Sequence, residues 1–426
     1  MESRGAVWCL LLAAAIAPGA TAQDQDYHLE ETPAVTWNGL AYQDARMLAL
    51  GGVSLLASGP FAGAANPALI PADRGLELGL TADRLDFEAF QYWGVNQGVV
   101  SHLSPLSDRA TALGGVAARF AARQLRLSAG WYLRALPRFP SFAFREDYEY
   151  EQYDQYSGSF SGTDGAFFLA AATPTWRGFS LGARLEYVSE TRRVTISDAS
   201  ESYFRFGDRW ERRYLDIRRE ETHEGSLLVP CLGLSWSVSP RWTLAVAAEW
   251  PLDGTVERTV LRSFESATDG IHISEQQTAS DPLERPARIS AGTRLGIDLG
   301  GSSAGRASLL VAAEATHQRW AGYRYVSFGE GRGRDLRDTV GFAGGVELAA
   351  ARDKGGYSVR LGYRFDPQPV RAPEAALHVF TGGGGMHRGS LGLDAALSYH
   401  RGSPGGVEQG HVAIGMTLRM ALGEAK

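Results

Sequence analysis

The chain has 426 residues, with 48 acidic against 42 basic side chains and a formal charge of −6, a balance that excludes a strongly basic nucleic-acid binder. Hydrophobic residues make up 44% of it, too many for a disordered chain, and 51 glycines without a Gly-x-y period exclude collagen. Two cysteines, Cys9 and Cys231, exclude a disulfide framework and a cysteine-built metal cage.

Arg4 precedes an apolar stretch over residues 6–17, which Pro18 and Gly19 break, and Ala20-Thr21-Ala22 offers a small-x-small cleavage site before Gln23. Residues 1–22 therefore read as a secretory signal peptide, whose apolar core of about 12 residues is too short to cross a bilayer. The residue directly after the site is Gln23 and not a cysteine, so a lipid anchor is not expected. No later run of about 18 apolar residues occurs, so a membrane-crossing helix is not expected either.

Residues 23–74 do not alternate. Asp24, Asp26, Glu30 and Glu31 make a solvated acidic tail. Asp44 to Ser54 follows, with Gly51 and Gly52 in tandem, and then Gly59-Pro60-Phe61-Ala62-Gly63-Ala64-Ala65-Asn66-Pro67-Ala68. Small residues permit close backbone approach and Asn-Pro marks a turn.

From Gly75 to the end, residues 75–426, the period changes to two. Phe179, Leu181, Ala183, Leu185 and Tyr187 alternate with Ser180, Gly182, Arg184 and Glu186; Tyr357, Val359, Leu361 and Tyr363 alternate with Ser358, Arg360 and Gly362. One face is aliphatic and the other carries charge and small residues, which is the pattern of a strand. About fourteen such segments occur, near 75–85, 109–120, 125–136, 164–173, 177–190, 226–238, 241–251, 285–298, 306–319, 339–350, 356–365, 374–383, 389–400 and 409–421. Short connections (121–124, 174–176, 239–240) alternate with long ones (86–108, 137–163, 191–225, 252–284, 320–338).

This predicts an all-β fold: a transmembrane antiparallel up-and-down β-barrel of about 14 strands, with periplasmic turns and extracellular loops in a bacterial outer membrane. Lipid offers no hydrogen-bond partners, so a strand-built chain spans it only as a closed sheet. Strand lengths of about 10–12 residues suit a tilted crossing. Trp131, Tyr132, Trp242, Trp250, Trp320, Tyr363 and Tyr399 at strand ends are expected to form interfacial girdles. A soluble β-sandwich is the competing reading, but it would mix loop lengths. Arg126, Arg134, Arg184, Glu186, Glu249, Arg288, Arg294, Glu314, Arg360, Arg364, Asp394 and Arg419 fall on the lumen face and are expected to pair there. A lumen of this width is not filled by its own side chains, and residues 23–74 are the segment available to plug it.

Arg46, the glycine pair Gly51-Gly52 and Asn66-Pro67-Ala68 ahead of the first strand resemble the N-terminal hatch of the FadL/TodX family of outer-membrane transporters for long-chain fatty acids and other hydrophobic molecules. Pro286-Ala287-Arg288-Ile289, the segment from Ala313 to Tyr323, and Leu361 to Val370 resemble later segments of that family. The likeness runs from about Arg46 to Met420. It implies passive, diffusion-driven uptake, with capture among extracellular loops, a binding position beside the hatch and a lateral gap in the wall. Asn-Pro-Ala is shared with PorV/PorQ-like barrels, so the alternative is a barrel serving protein secretion or attachment.

On this resemblance Gly51, Gly52, Phe61, Asn66 and Pro67 are the expected hatch ligand-binding residues. Arg138, Phe139, Phe142, Phe144 and Arg145, in the connection 137–163, set exposed aromatics beside cations that suit a carboxylate, and form the expected capture site. Pro230 cannot donate to a ladder and marks either a rim position or a kink where a gap opens. The arginines of 191–225 (Arg205, Arg209, Arg212, Arg213, Arg218, Arg219) suit lipopolysaccharide phosphates or an ordinary solvated loop. The nine histidines are scattered and Thr381-Gly382-Gly383-Gly384-Gly385 lacks the Lys of a phosphate loop, so no enzyme, cofactor or metal is expected. The expected partners are a fatty-acid-like molecule and outer-membrane lipid, with the barrel monomeric.

Overall fold

The computed structural model describes residues 44–54, 59–72, 75–90, 106–122, 125–135, 138–148, 152–206, 209–266, 271–302, 305–321, 337–352, 355–367, 369, 376–402 and 408–422. The signal peptide and the acidic tail of the sequence reading lie outside them.

Among the described residues seventeen strands form one antiparallel sheet: β1 (Gly75–Phe90), β2 (Leu106–Ala122), β3 (Leu125–Ala135), β4 (Arg138–Tyr148), β5 (Gln152–Ala172), β6 (Phe179–Phe206), β7 (Arg209–Ser239), β8 (Trp242–Glu249), β9 (Gly254–Ser266), β10 (Ile271–Leu283), β11 (Ala287–Ser302), β12 (Gly305–Arg319), β13 (Thr339–Arg352), β14 (Gly355–Pro367), β15 (Ala376–Arg388), β16 (Leu391–Gly402) and β17 (Glu408–Leu422). β1 pairs with β2 on one side and with β17 on the other, which closes the ring. β4 pairs with β5 beyond β3, β9 with β7 beyond β8, and β10 with β9 beyond β11. These three prolong neighbouring strands and add none to the circumference, so the barrel has 14 strands. All fourteen segments read from the alternation are in it.

The wall sorts side chains as the period of two requires. On β6, Leu181, Leu185 and Tyr187 face outward at 57, 49 and 47% exposure, while Arg184 and Glu186 between them are buried. An aliphatic surface of this extent is tolerable only against acyl chains. Leu185→Arg is therefore expected to cost about 2–4 kcal/mol near the bilayer midplane, read as unfolding free energy in lipid vesicles; an unchanged value would mean that this face does not meet hydrocarbon.

Trp242, Trp250, Tyr363 and Tyr399 lie outward at the edges of this band, as girdle residues should. Tyr132 and Trp320 do not: both are buried, Tyr132 with its hydroxyl donating to Glu186 at 2.6 Å. A strand end places an aromatic at the right height, but its parity decides whether it meets lipid or lumen.

The long connections 137–163, 191–225 and 252–284 differ from expectation. They are paired strands in tall hairpins, with 28 residues in β6 and 31 in β7. About 50 Å of β6 backbone lies past Glu190. Beyond the bilayer the outer face of a hairpin no longer meets lipid, so the greasy/polar alternation that reveals a strand is no longer needed. Arg138, Phe139, Phe142, Phe144 and Arg145 accordingly sit on β4, in register with Ser161, Phe160, Gly158, Tyr156 and Gln155 of β5.

Candidate functional site

The lumen holds residues 44–54 and 59–70, almost all buried. Asp44 caps α1 (Ala45–Ala49), its carboxylate accepting from the Met47 N–H at 2.7 Å. Gly51 and Gly52 follow with φ of 77° and 82°, a left-handed pair that reverses the chain. A 3-10 turn (Gly59–Phe61), α2 (Ala62–Ala65) and a second 3-10 turn (Pro67–Leu69) complete the segment. Asn66, fully buried, binds the Ala68 N–H through Oδ1 at 3.0 Å and the Val246 carbonyl of β8 through Nδ2 at 3.3 Å. One side chain thus shapes the turn and ties it to the wall.

Wall and plug are matched by size. At Gly182 a Cβ would collide with the Pro67 and Ala68 backbone, and at Gly362 with Leu50 and Gly51. Glycine at these points lets two backbones touch. Polar ties complete the fit: Gly51 N–H to Thr381 Oγ1 (3.0 Å), Ser54 N–H and Oγ to Glu314 (2.7 Å each), and a forked Arg46–Glu347 pair (2.9 and 2.7 Å). Arg126 donates to the Ile70 carbonyl at 2.9 Å, and Arg184 to the Ala64 carbonyl.

Two charged layers lie on either side of an apolar one. In the first, Glu249 meets Arg184 at 2.6 Å, Arg288 at 3.0 Å and Arg134 at 3.6 Å, while Glu186 meets Arg134 at 2.9 Å and Arg184 at 3.2 Å. In the second, further from the plug, Arg285 bridges Asp164 at 2.7 Å and Glu190 at 2.8 Å, and Arg192 holds Glu190 at 2.7 Å. Between them the register sets Val188 beside Leu227 and Ala166. These belong to one buried cluster with Phe61, Tyr132, Phe168, Val229, Val256 and Leu283. The sandwiched order gives an apolar molecule somewhere to lie and gives a carboxylate arginines to meet, with the layers' own acids already neutralising much of that charge.

Of the residues marked on the sequence, Gly51, Gly52, Phe61, Asn66 and Pro67 come together in the plug, and Phe61 reaches the apolar cluster. The β4 residues Arg138 to Arg145 stand apart from it, in the β4–β5 hairpin. There the register continues Phe144–Tyr156–Asp198–Ile217–Phe264–Ile273 across six strands, so β7, β9 and β10 add apolar residues to the same row. Pro230 lies in β7 opposite Leu185, and its carbonyl accepts the Trp250 N–H at 3.2 Å; its missing donor therefore faces the break between β8 and β9. Arg218 and Arg219 are held by Glu220 and Glu221 at 2.5 and 2.7 Å, which leaves less of their charge for a phosphate.

Glu347, the partner of Arg46, and Asp164, Glu190 and Arg285 are not marked by the sequence. Arg285 in particular sits in a short break between strands, where no period points to the lumen. In the β7 extension, burial alone would raise the Glu221 carboxyl. The hydrogen bond with His223 at 2.8 Å and the guanidinium groups of Arg219 and Arg258 outweigh this and hold it below the usual carboxylate range. This pairing stabilises the hairpin at neutral pH and is lost as pH falls through the lowered value.

No protein-family model and no curated protein sequence matches the chain. Solved structures do. The chain is similar to the toluene transporter TbuX of Ralstonia pickettii, at 15% identity and TM-score 0.54, over 90% of this chain and 99% of that one. It is similar to the toluene transporter TodX of Pseudomonas putida, at 13% identity and TM-score 0.58, over 89 and 97%. It is also similar to a FadL homologue of Pseudomonas aeruginosa, at 14% identity and TM-score 0.53, over 89 and 97%. These neighbours are transporters, and their fold is typical of bacterial outer-membrane proteins. The closed ring of 14 strands, built around a buried N-terminal segment, has the FadL-type barrel fold of these transporters.

Proposed function

We propose that this chain carries hydrophobic small molecules passively inward across a bacterial outer membrane, reaching it through a cleaved signal peptide, with long-chain fatty acids as the first cargo to test. One observation carries the reading: the lumen is closed by a segment whose Phe61 belongs to an apolar cluster with Tyr132, Val188 and Leu227. Each CH2 gains about 0.8 kcal/mol on leaving water, so an apolar occupant is favoured there and an ion is not. Phe139, Phe142 and Phe144, with Arg138 and Arg145, form the proposed capture surface on β4, and Gly51, Gly52, Asn66 and Pro67 frame the plug that must shift. A side exit suits the seam between β2 and β3. Their registered pairing ends at Gly115–Tyr132, whereas β2 stays paired with β1 up to Leu106.

The test is uptake of radiolabelled oleate and toluene by cells whose own hydrophobic-compound channels are deleted. The chain is expected to restore uptake of at least one, and Phe61→Glu to abolish it at unchanged barrel yield. Uptake no better than in cells producing an ordinary porin would sink the proposal. A second reading, a barrel serving secretion or attachment, draws on the height of the β6–β7 and β9–β10 hairpins; co-purification of a stoichiometric protein partner, with no uptake, would favour it.

A further inference from the structure

The periplasmic turn between β5 and β6 is closed by reciprocal bonds between Trp176 and Phe179, at 2.8 and 2.9 Å. Its two central residues are Arg177 and Gly178, with φ of 51° and 86°. Such a turn needs left-handed backbone at both positions and favours Asn-Gly. Arg177 is the one non-glycine residue with positive φ among the described residues. A strained choice persists where its side chain does something that the relaxed residue cannot do.

That side chain is exposed, and its guanidinium carbon lies 4.9 Å from the centre of the Trp176 ring. Trp176 is itself 68% exposed. Beside it Phe179 stacks on Trp236 at 5.2 Å and 5°, and Trp242 follows on the next hairpin. These rings mark the level where hydrocarbon gives way to headgroups. No carboxylate lies within ion-pair distance of Arg177 among the described residues, whereas Arg241 on the neighbouring turn already faces Asp298 at 4.0 Å. An arginine held over an indole keeps its N–H edge free, and that planar fork matches a phosphate.

We propose that the Trp176–Arg177 turn holds the phosphate of an anionic phospholipid in the periplasmic leaflet. The proposal rests on the outer-membrane placement above. A purified barrel that bound no detergent would overturn that placement, whereas lipid retention unaffected by Arg177 overturns this site alone.

The experiment compares the parent with Arg177→Asn and Arg177→Lys in detergent, using native mass spectrometry with added phosphatidylglycerol and thermal unfolding with and without it. Arg177→Asn is expected to unfold about 1–2 °C higher in lipid-free detergent, because the turn is relaxed. It is also expected to retain at least about five-fold less phosphatidylglycerol, and Arg177→Lys an intermediate amount. Equal retention by parent and Arg177→Asn overturns the proposal. So does inorganic phosphate that raises the parent's unfolding temperature as much as phosphatidylglycerol does, since the site would then be one for free phosphate.

Discussion

Glu249→Ala is expected to lower the unfolding free energy by about 3–5 kcal/mol, measured by urea unfolding in micelles with the heat-dependent gel shift of the barrel as a second readout. The carboxylate is buried and is shared by Arg184, Arg288 and Arg134 at 2.6, 3.0 and 3.6 Å. Removing it leaves Arg184, whose side chain is wholly buried, with the Ala64 carbonyl and one carboxylate, Glu186 at 3.2 Å, which Arg134 also shares. A buried cation left short of counter-charge costs far more than the pair contributes, because its hydration has already been given up. The double variant Glu249→Ala with Arg184→Met removes both sides of the closest pair and should recover a large part of the loss. A Glu249→Ala barrel as stable as the parent would show that water fills this layer.

Gly182→Val tests the plug without touching a charge. The added carbons would occupy the place of the Pro67 and Ala68 backbone, and backbone cannot step aside as a flexible side chain does. The Asn66–Pro67–Ala68 turn should leave the wall while the barrel stays closed, since β6 remains paired with β5 and β7. Single-channel conductance in planar bilayers is expected to rise at least several-fold, with the N-terminal segment becoming open to protease. Gly296→Val is the control, as a Cβ there meets nothing nearer than 3.7 Å. Equal conductance in the two variants would mean that the plug does not depend on this socket.

The sequence was most legible where one face of a strand must be greasy. Leu181, Leu185 and Tyr187 against Arg184 and Glu186 reveal a strand, its two environments and its height in the bilayer at once. The same rule fails where the constraint is lifted: β4, β9 and β10 belong to the tall hairpins, where no face need meet lipid, and their sequences read as loops. Parity misled at Tyr132, whose position at a strand end suggested a girdle although its ring faces the lumen. The hatch residues Gly51, Gly52, Asn66 and Pro67 were legible as turn chemistry, because positive φ and Asx capping are local demands.

What sequence alone determined is the barrel: strand number, closure and the sign of each face follow from a period of two imposed by a solvent that cannot hydrogen-bond. Tertiary structure alone decided which charges meet. Arg285 reaches Asp164 and Glu190, 121 and 95 residues away, and Arg46 reaches Glu347, 301 residues away. The curvature of the closed sheet and the seating of the plug bring them together, and no local pattern encodes a distance across a lumen.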